Sequence, residues 1–386
     1  MKGKKKKRPA VIPVIIVLIL LCILIAGLFY LLFTPSSGGP KPVYEEDYVS
    51  SNRLKETTAK VDYLIYEALY NEGVNEEDIS FSKVIPEHKN DLDWDFTELS
   101  VRVESHDSMD RLPKTISKKI AVLQPDVLLR TEKITGDEAL LNITIYDFST
   151  HRIKLHYRVK KGGKTGQLPK VAIIIDDIGY DESMALSFTE LDIPVCLSVL
   201  PDAPYSRKIA SRAVEKGVEL LLHLPMEPKG YPEVDPGKGA LMTSMARETI
   251  QGIVKEYILE FPGLKGVNHH MGSLFSENYV KMKYVIDEIK KFDLYYVDSR
   301  TTNKTVAFKV AKALGVPAAE KSLFIDNDLS EKALKYQMER LMGIARYSGS
   351  AVGIGHPHAE TLNILKRYTE QLKKNYEVVP VSELVE

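Results

Sequence analysis

The hydrophobic and polar positions fall into three stretches of different rhythm. Residues 11–33 read VIPVIIVLILLCILIAGLFYLLF, apolar throughout and without a charge. A helix needs about 20 apolar residues to cross a bilayer core, so this run predicts a transmembrane helix. It is longer than the roughly 7–15 apolar residues of a signal-peptide core, and the Thr34-Pro35-Ser36-Ser37-Gly38-Gly39-Pro40 behind it is a weak cleavage signal. Residues 34–42, rich in Ser, Gly and Pro, read as a linker.

Residues 43–160 mix two periods. Val61, Leu64, Ile65, Ala68 and Leu69 recur at helical spacing and predict an amphipathic helix over 52–71. Leu99, Val101 and Val103 alternate as a half-buried strand does. A helix near 109–122 follows. Strands over 127–134 and 139–146 flank Gly136-Asp137, a hairpin signal. Ile153, Leu155 and Tyr157 alternate in one more strand. The stretch reads as a small α+β domain. Its His88, His106, His151 and His156 lack ligand spacing and read as surface or packing residues. Nothing in it suggests catalysis, which leaves a glycan or an envelope protein as its candidate partner.

Beyond Lys160-Lys161-Gly162-Gly163-Lys164 the rhythm changes again. Short apolar runs at 171–175, 194–200, 218–222, 264–268, 294–297, 323–325, 351–354 and 378–381 alternate with helical stretches at 203–216, 246–260, 276–291, 304–313, 330–347 and 359–374. Strands alternating with helices give a parallel sheet. Seven or eight such units over 168–384 predict an α/β fold, a (β/α) barrel that is complete or short of a strand. An open doubly wound sheet is the alternative.

Composition sharpens this outline in two places. The 52 Lys+Arg and 53 Asp+Glu of the 386 residues balance to −1, but six of the positive charges (Lys2, Lys4 to Lys7, Arg8) lie in residues 1–10. The rest of the chain is therefore mildly acidic, at −7, and lacks the basic face that nucleic acid requires. The basic tail instead sets topology. It stays cytoplasmic by the positive-inside rule, and the chain beyond residue 40 lies outside the cytoplasm, as in a single-pass membrane protein. Two cysteines, Cys22 and Cys196, exclude a disulfide scaffold and a cysteine-rich zinc site.

In parallel β/α folds chemistry collects at the carboxyl ends of the strands. Asp176-Asp177 follows the first run and His223 the third. His269-His270 follows the fourth, Asp298-Ser299-Arg300 the fifth and Asp326-Asn327-Asp328 the sixth. His356-Pro357-His358 follows Gly353-Ile354-Gly355. Imidazoles with a carboxylate make a divalent-metal site with positions left for water and substrate. Bound metal lowers the pKa of water from about 16 towards 7. Neighbouring side chains on a strand diverge, so one member of Asp176-Asp177 can ligate while the other acts as base, and a histidine from a distant strand can protonate the leaving group. The blander possibility for Asp176-Asp177 is a cap on the helix that starts near Asp181.

Five segments in order, Ile173 to Gly179, His223 to Pro228, Gly266 to Ser273, Val297 to Thr302 and Gly353 to His358, resemble the divergent polysaccharide deacetylase family, relatives of the metal-dependent carbohydrate deacetylases. The resemblance covers roughly 168–384. It implies Asp176 as catalytic base, Asp177, His223 and His270 as metal ligands, and His356 as general acid. His269 becomes an extra ligand or a supporting group. Asp298 and Arg300 would orient the acid or bind substrate, and Glu227 and Asp326 are further candidates for the surrounding shell. Zinc suits an Asp-His-His set. The implied substrate is an N-acetylated amino sugar of a cell-envelope polysaccharide. Two departures stand out. Ordinary deacetylases take both histidines from one H-x-x-x-H segment, where this chain has His223-Leu224-Pro225-Met226-Glu227, and their Arg-x-Pro-Tyr motif is missing. Two rivals follow: a catalytically inactive relative that binds glycan or protein, and a metal hydrolase acting on an ester or phosphate.

Overall fold

The computed structural model describes residues 53–89, 92–133, 135–157 and 168–386. The tail 1–10, the predicted transmembrane helix 11–33 and the linker 34–42 lie outside the described residues. Among those described, no helix is long and apolar enough to cross a membrane.

The first layer begins with α1 (Arg53–Asn71), whose spaced Val61, Ile65, Ala68 and Leu69 are buried. Strands β1 (Ile79–Lys89) and β2 (Leu92–Val103) pair antiparallel. Helix α2 (His106–Ile120) follows. The Ser105 side chain caps it by accepting from the Ser108 N–H, and Met109, Leu112, Ile116 and Ile120 form its buried stripe. Strands β3 (Val127–Lys133), β4 (Glu138–Ile145) and β5 (Phe148–Tyr157) complete a five-stranded sheet of order β1-β2-β5-β4-β3. The hydropathy pattern missed β1 and the first half of β2, because Ser82, Lys83, Glu87 and Lys89 are polar and Val84, Ile85, Leu92 and Phe96 are only half-buried or exposed.

The second layer is the parallel sheet. Its strands are β6 (Lys170–Ile178), β7 (Cys196–Val199), β8 (Glu219–Met226), β9 (Gly266–Met271), β10 (Tyr295–Asp298), β11 (Ala318–Glu320), β12 (Leu323–Phe324), β13 (Ser350–Gly355) and β14 (Glu377–Val378). The helices between them are α3 (Glu182–Phe188), α4 (Ser206–Glu215), α5 (Arg247–Glu260), α6 (Tyr279–Lys290), α7 (Ala307–Ala313), α8 (Glu331–Ser348) and α9 (Ala359–Asn375). The hydrogen-bonded order is β11-β10-β9-β8-β7-β6-β13-β12, with β14 beside the start of β6.

The barrel is incomplete. No ladder joins β11 to β12, although they stand at opposite edges and only Lys321-Ser322 separates them in sequence. So short a link spans only about 10 Å, so the sheet must curl until its edges nearly meet. The doubly wound alternative fails on packing. One large core lies between the sheet and its helices, while a small one (Ala172, Ile174, Cys196, Leu221, Val297, Ala319, Val352, Ile354) fills the concave side with side chains.

Helix α8 joins the two layers. Leu334, Met338 and Leu341 face the parallel sheet, and Tyr336 enters the core of the first layer. Gly343 sits so close to Phe81 that a Cβ would come within 2.5 Å of the ring. Beneath this contact Asp62 accepts from the Tyr336 hydroxyl at 2.7 Å and meets His151 Nε2 at 3.0 Å.

Candidate metal centre

Strand period decides which side chains reach the mouth. Ala172 and Ile174 line the concave side, so Asp176 continues their row. Cys196 leads likewise to Ser198, Leu221 to His223 and Ile354 to His356. On β9, residues 268 and 270 share one face. Adjacent strands then set the height, with His223 opposite Asn268 and Pro225 opposite His270.

Asp177 would point away from the mouth on a regular strand. Two features turn it back. The ladder between β6 and β7 shifts register between Ile175 and Ile178, and Asp177 adopts φ +55°. A bulge re-aims side chains, and Asp is among the residues that tolerate the left-handed region. Both carboxylates therefore arrive at one site, a closer approach than divergence along a strand predicts. Neither caps α3, because Asp181 does so by accepting from the Met184 N–H at 2.9 Å.

Asp177 Oδ1 lies 2.9 Å from His223 Nε2 and 2.8 Å from His270 Nδ1. All three residues are buried. Neither contact has hydrogen-bond geometry, and both Asp177 carboxylate oxygens are buried without a hydrogen-bond donor. Two imidazole nitrogens and an unsatisfied carboxylate converging on one point are the donor set of a divalent cation, and these residues fit one. Burial pushes the Asp177 carboxyl up, but the His270 and His223 imidazoles outweigh it and hold the group well below the usual range. Burial pulls His223 down, but Asp176 and Asp177 raise it above its ordinary value.

Asp176 lies behind this set. Its Oδ1 accepts from Asn268 Nδ2 at 2.8 Å. Burial raises its carboxyl above the ordinary value, against the opposing pull of His223 and His356. Across the mouth, His356 Nδ1 meets Asp326 Oδ1 at 2.9 Å. Asp326 Oδ2 takes the His356 backbone N–H and the Thr361 hydroxyl, each at 2.6 Å. Burial works against the Asp326 charge, but the His356 imidazole and these hydrogen bonds keep its carboxyl below the usual value. The cleft above is lined by Asp176, Asp177, His223, His270, Phe324 and His356, together with Met271, Ser299, Thr301 and part of His269.

The remaining candidates fall outside the ligand set. His269 shares the outer side of the sheet with Val267 and Tyr296. It stacks on Tyr296 and meets its hydroxyl at 2.7 Å through Nδ1. Burial lowers it to about 4, against the pull of Asp298, so it is a neutral packing histidine. Asp298 accepts from the Arg300 and Phe308 N–H groups and the Thr305 hydroxyl, which organises the loop into α7. The guanidinium of Arg300 faces Glu320 at 3.7 Å. Glu227 accepts the Thr243 N–H and hydroxyl, both at 2.6 Å, and pins the loop after β8.

Two residues escaped sequence reading. Asn268 read as the last position of an apolar run, and Ser198 lay inside another. The usable signal was parity, since Asn268 stands two residues before His270 and shares its face.

The chain belongs to the divergent polysaccharide deacetylase family, whose profile matches residues 173–385. Among individual proteins, it is 32% identical over 216 residues to the uncharacterized protein YibQ of Escherichia coli K12, covering 56% of this chain and 67% of that one. It is 30% identical over 220 residues to an uncharacterized Haemophilus influenzae protein, covering 56% and 76%. Among solved structures, that of an uncharacterized Agrobacterium tumefaciens protein matches 59% of this chain and 92% of its own, at 23% identity and a TM-score of 0.54.

Proposed function

We propose that the chain is a metal-dependent hydrolase that removes acetyl groups from N-acetylated amino sugars of an envelope polysaccharide. It would act outside the cytoplasm, tethered by residues 11–33, and carry the module 43–160 between anchor and catalytic layer. The observation that carries the chemistry is the pair of unsatisfied Asp177 oxygens facing two imidazole nitrogens. Family membership supports the substrate class, and the apolar run behind a basic tail supports the tether.

Asp177, His223 and His270 would hold the cation, and one nearby oxygen and two nitrogens suit zinc. A divalent cation there supplies Lewis acidity, which polarises an acetyl carbonyl and acidifies water. Asp176 keeps one oxygen on Asn268, so its second oxygen can take a proton from the attacking water. Burial favours the protonated form that results. Asp326 engages His356 Nδ1, so proton delivery to the departing amine falls to Nε2. The carboxylate also stabilises the imidazolium that must form.

The inactive, glycan-binding reading is favoured by one specific observation, the missing Arg-x-Pro-Tyr motif. Acetate release from N-acetylated oligosaccharides by the zinc-loaded full chain separates the two. We expect turnover that Asp176→Asn abolishes. Glycan binding without acetate release would reject the hydrolase.

A further inference from the structure

We infer that Asn268 is a positioning residue that sets the tautomer of His223 and the orientation of Asp176 through one buried amide. The inference rests on the metal site proposed above. Asn268 and Ser198 are fully buried between the small concave core and the cleft. Three polar groups surround the amide. Its Nδ2 is 2.8 Å from Asp176 Oδ1, and its Oδ1 is 2.8 Å from His223 Nδ1 and 2.6 Å from Ser198 Oγ.

The chemistry of the partners fixes which way the amide faces. An ionised carboxylate only accepts, so the NH2 end must face Asp176. The carbonyl end then faces His223 and Ser198, and both must donate to it. A histidine that ligates a metal must be neutral, and a neutral imidazole has one N–H. With that hydrogen on Nδ1, Nε2 carries the lone pair. Nε2 is the atom 2.9 Å from Asp177 Oδ1, where no hydrogen bond forms. The amide thus aims a lone pair, not a hydrogen, at the point where Asp177 and His270 converge. Through its other end it holds the neighbouring carboxylate by one oxygen.

His270 gets no such help. Strand register explains the difference, because Asn268 lies opposite His223 while His270 stands one rung higher, opposite Pro225. A carboxamide, not a carboxylate, is required because the same side chain must accept from one neighbour and donate to another.

The test compares the full chain with Asn268→Ala and Asn268→Asp at one pH. Zinc affinity is read by competition with a chromophoric chelator, and the tautomer of His223 by imidazole 15N shifts of the metal-free protein at a pH high enough to keep the ring neutral. Loss of a group that orients a metal-bound histidine weakens metal binding by about 10–100-fold, which is the drop expected for Asn268→Ala. Asn268→Asp retains an acceptor for His223, so its affinity should fall by less than about 10-fold, the lower end of that range. It sets a second carboxyl beside Asp176, and two buried carboxyls that close share one proton, so Asp176 is no longer a free base and kcat should fall at unchanged KM. If Asn268→Ala does not fold, Asn268→Leu, which fills the same space, takes its place.

A role in packing alone would leave zinc affinity unchanged in both variants, or lower it equally in both, and either result overturns the inference. A parent chain that binds no zinc defeats the proposed function on its own. The 15N spectra still decide Asn268 in that event. A Nδ1–H tautomer present in the parent and lost in the alanine or leucine variant supports the inference, and the same tautomer in all variants refutes it.

Discussion

Asp326→Asn is the sharpest test of the proton path. Asp326 Oδ2 serves two donors, the His356 backbone N–H and the Thr361 hydroxyl, while Oδ1 faces His356 Nδ1. An asparagine has one oxygen. Two donors compete for it on the Oδ2 side, which leaves the NH2 group facing Nδ1. The imidazole must then accept through Nδ1 and carry its hydrogen on Nε2. The imidazolium becomes unfavourable, because its Nδ1–H would meet another donor. A hydrogen bond to a charged group contributes about 1.5–3 kcal/mol, and lost stabilisation of the developing imidazolium adds to it. At about 1.4 kcal/mol per tenfold, a total of roughly 3–5 kcal/mol lowers kcat by about two to four orders of magnitude. Zinc content should not change, since Asp326 approaches none of the three ligands. Steady-state acetate release with metal analysis and thermal melting on the same sample would measure all three quantities. A kcat close to the parent's in a folded, zinc-loaded variant would refute the assignment of His356 as the acid.

Asp177→Ala should remove most bound zinc, whereas Asp176→Asn should keep the metal and lose turnover; equal metal content in parent and Asp177→Ala would contradict the ligand set. Asp62→Ala strands His151 Nε2 and the Tyr336 hydroxyl without an acceptor, and at about 1–3 kcal/mol for each buried orphan it should cost about 2–6 kcal/mol in urea unfolding. Burial opposes the Asp62 charge, but His151 and Arg340 hold its carboxyl below 3.8. The stabilisation from Asp62 is therefore present above about pH 4 and lost as pH falls through the lowered folded value. An acid-unfolding midpoint that does not move in Asp62→Asn would contradict that. Gly272 has φ +83°, and a Cβ there would lie 2.8 Å from Met226 Cβ and 3.3 Å from His269 Cδ2. Left-handed strain plus overpacking should make Gly272→Ala about 2–4 kcal/mol less stable by denaturant titration.

Much of the parallel layer was legible because its strands are buried on both faces. They read as continuous apolar runs, and the polar residue that ends a run marks the mouth on most strands, though not on β10, where Asp298 holds the loop into α7. Asp176, Asp177, His223, His270 and His356 could be picked out that way. Strand β11 could not, since Ala318–Glu320 is too short and too small to form an apolar run. The role of His269 was also hidden. Adjacent residues of a strand face opposite sides, and nothing local to His269-His270 shows which side is concave.

Sequence alone determined most of the element order, the α/β class of the parallel layer and the residues available at the strand ends, because hydrophobic period and turn chemistry are local properties. Tertiary structure decided three things. The sheet curls without closing, because the ladder stops at β11 and β12. Asp177 turns back into the mouth, because a bulge and a left-handed backbone reverse its face. Asn268 stands beneath His223, because parallel register matches those two rungs. Each depends on pairing between segments tens of residues apart, and no local pattern records that pairing.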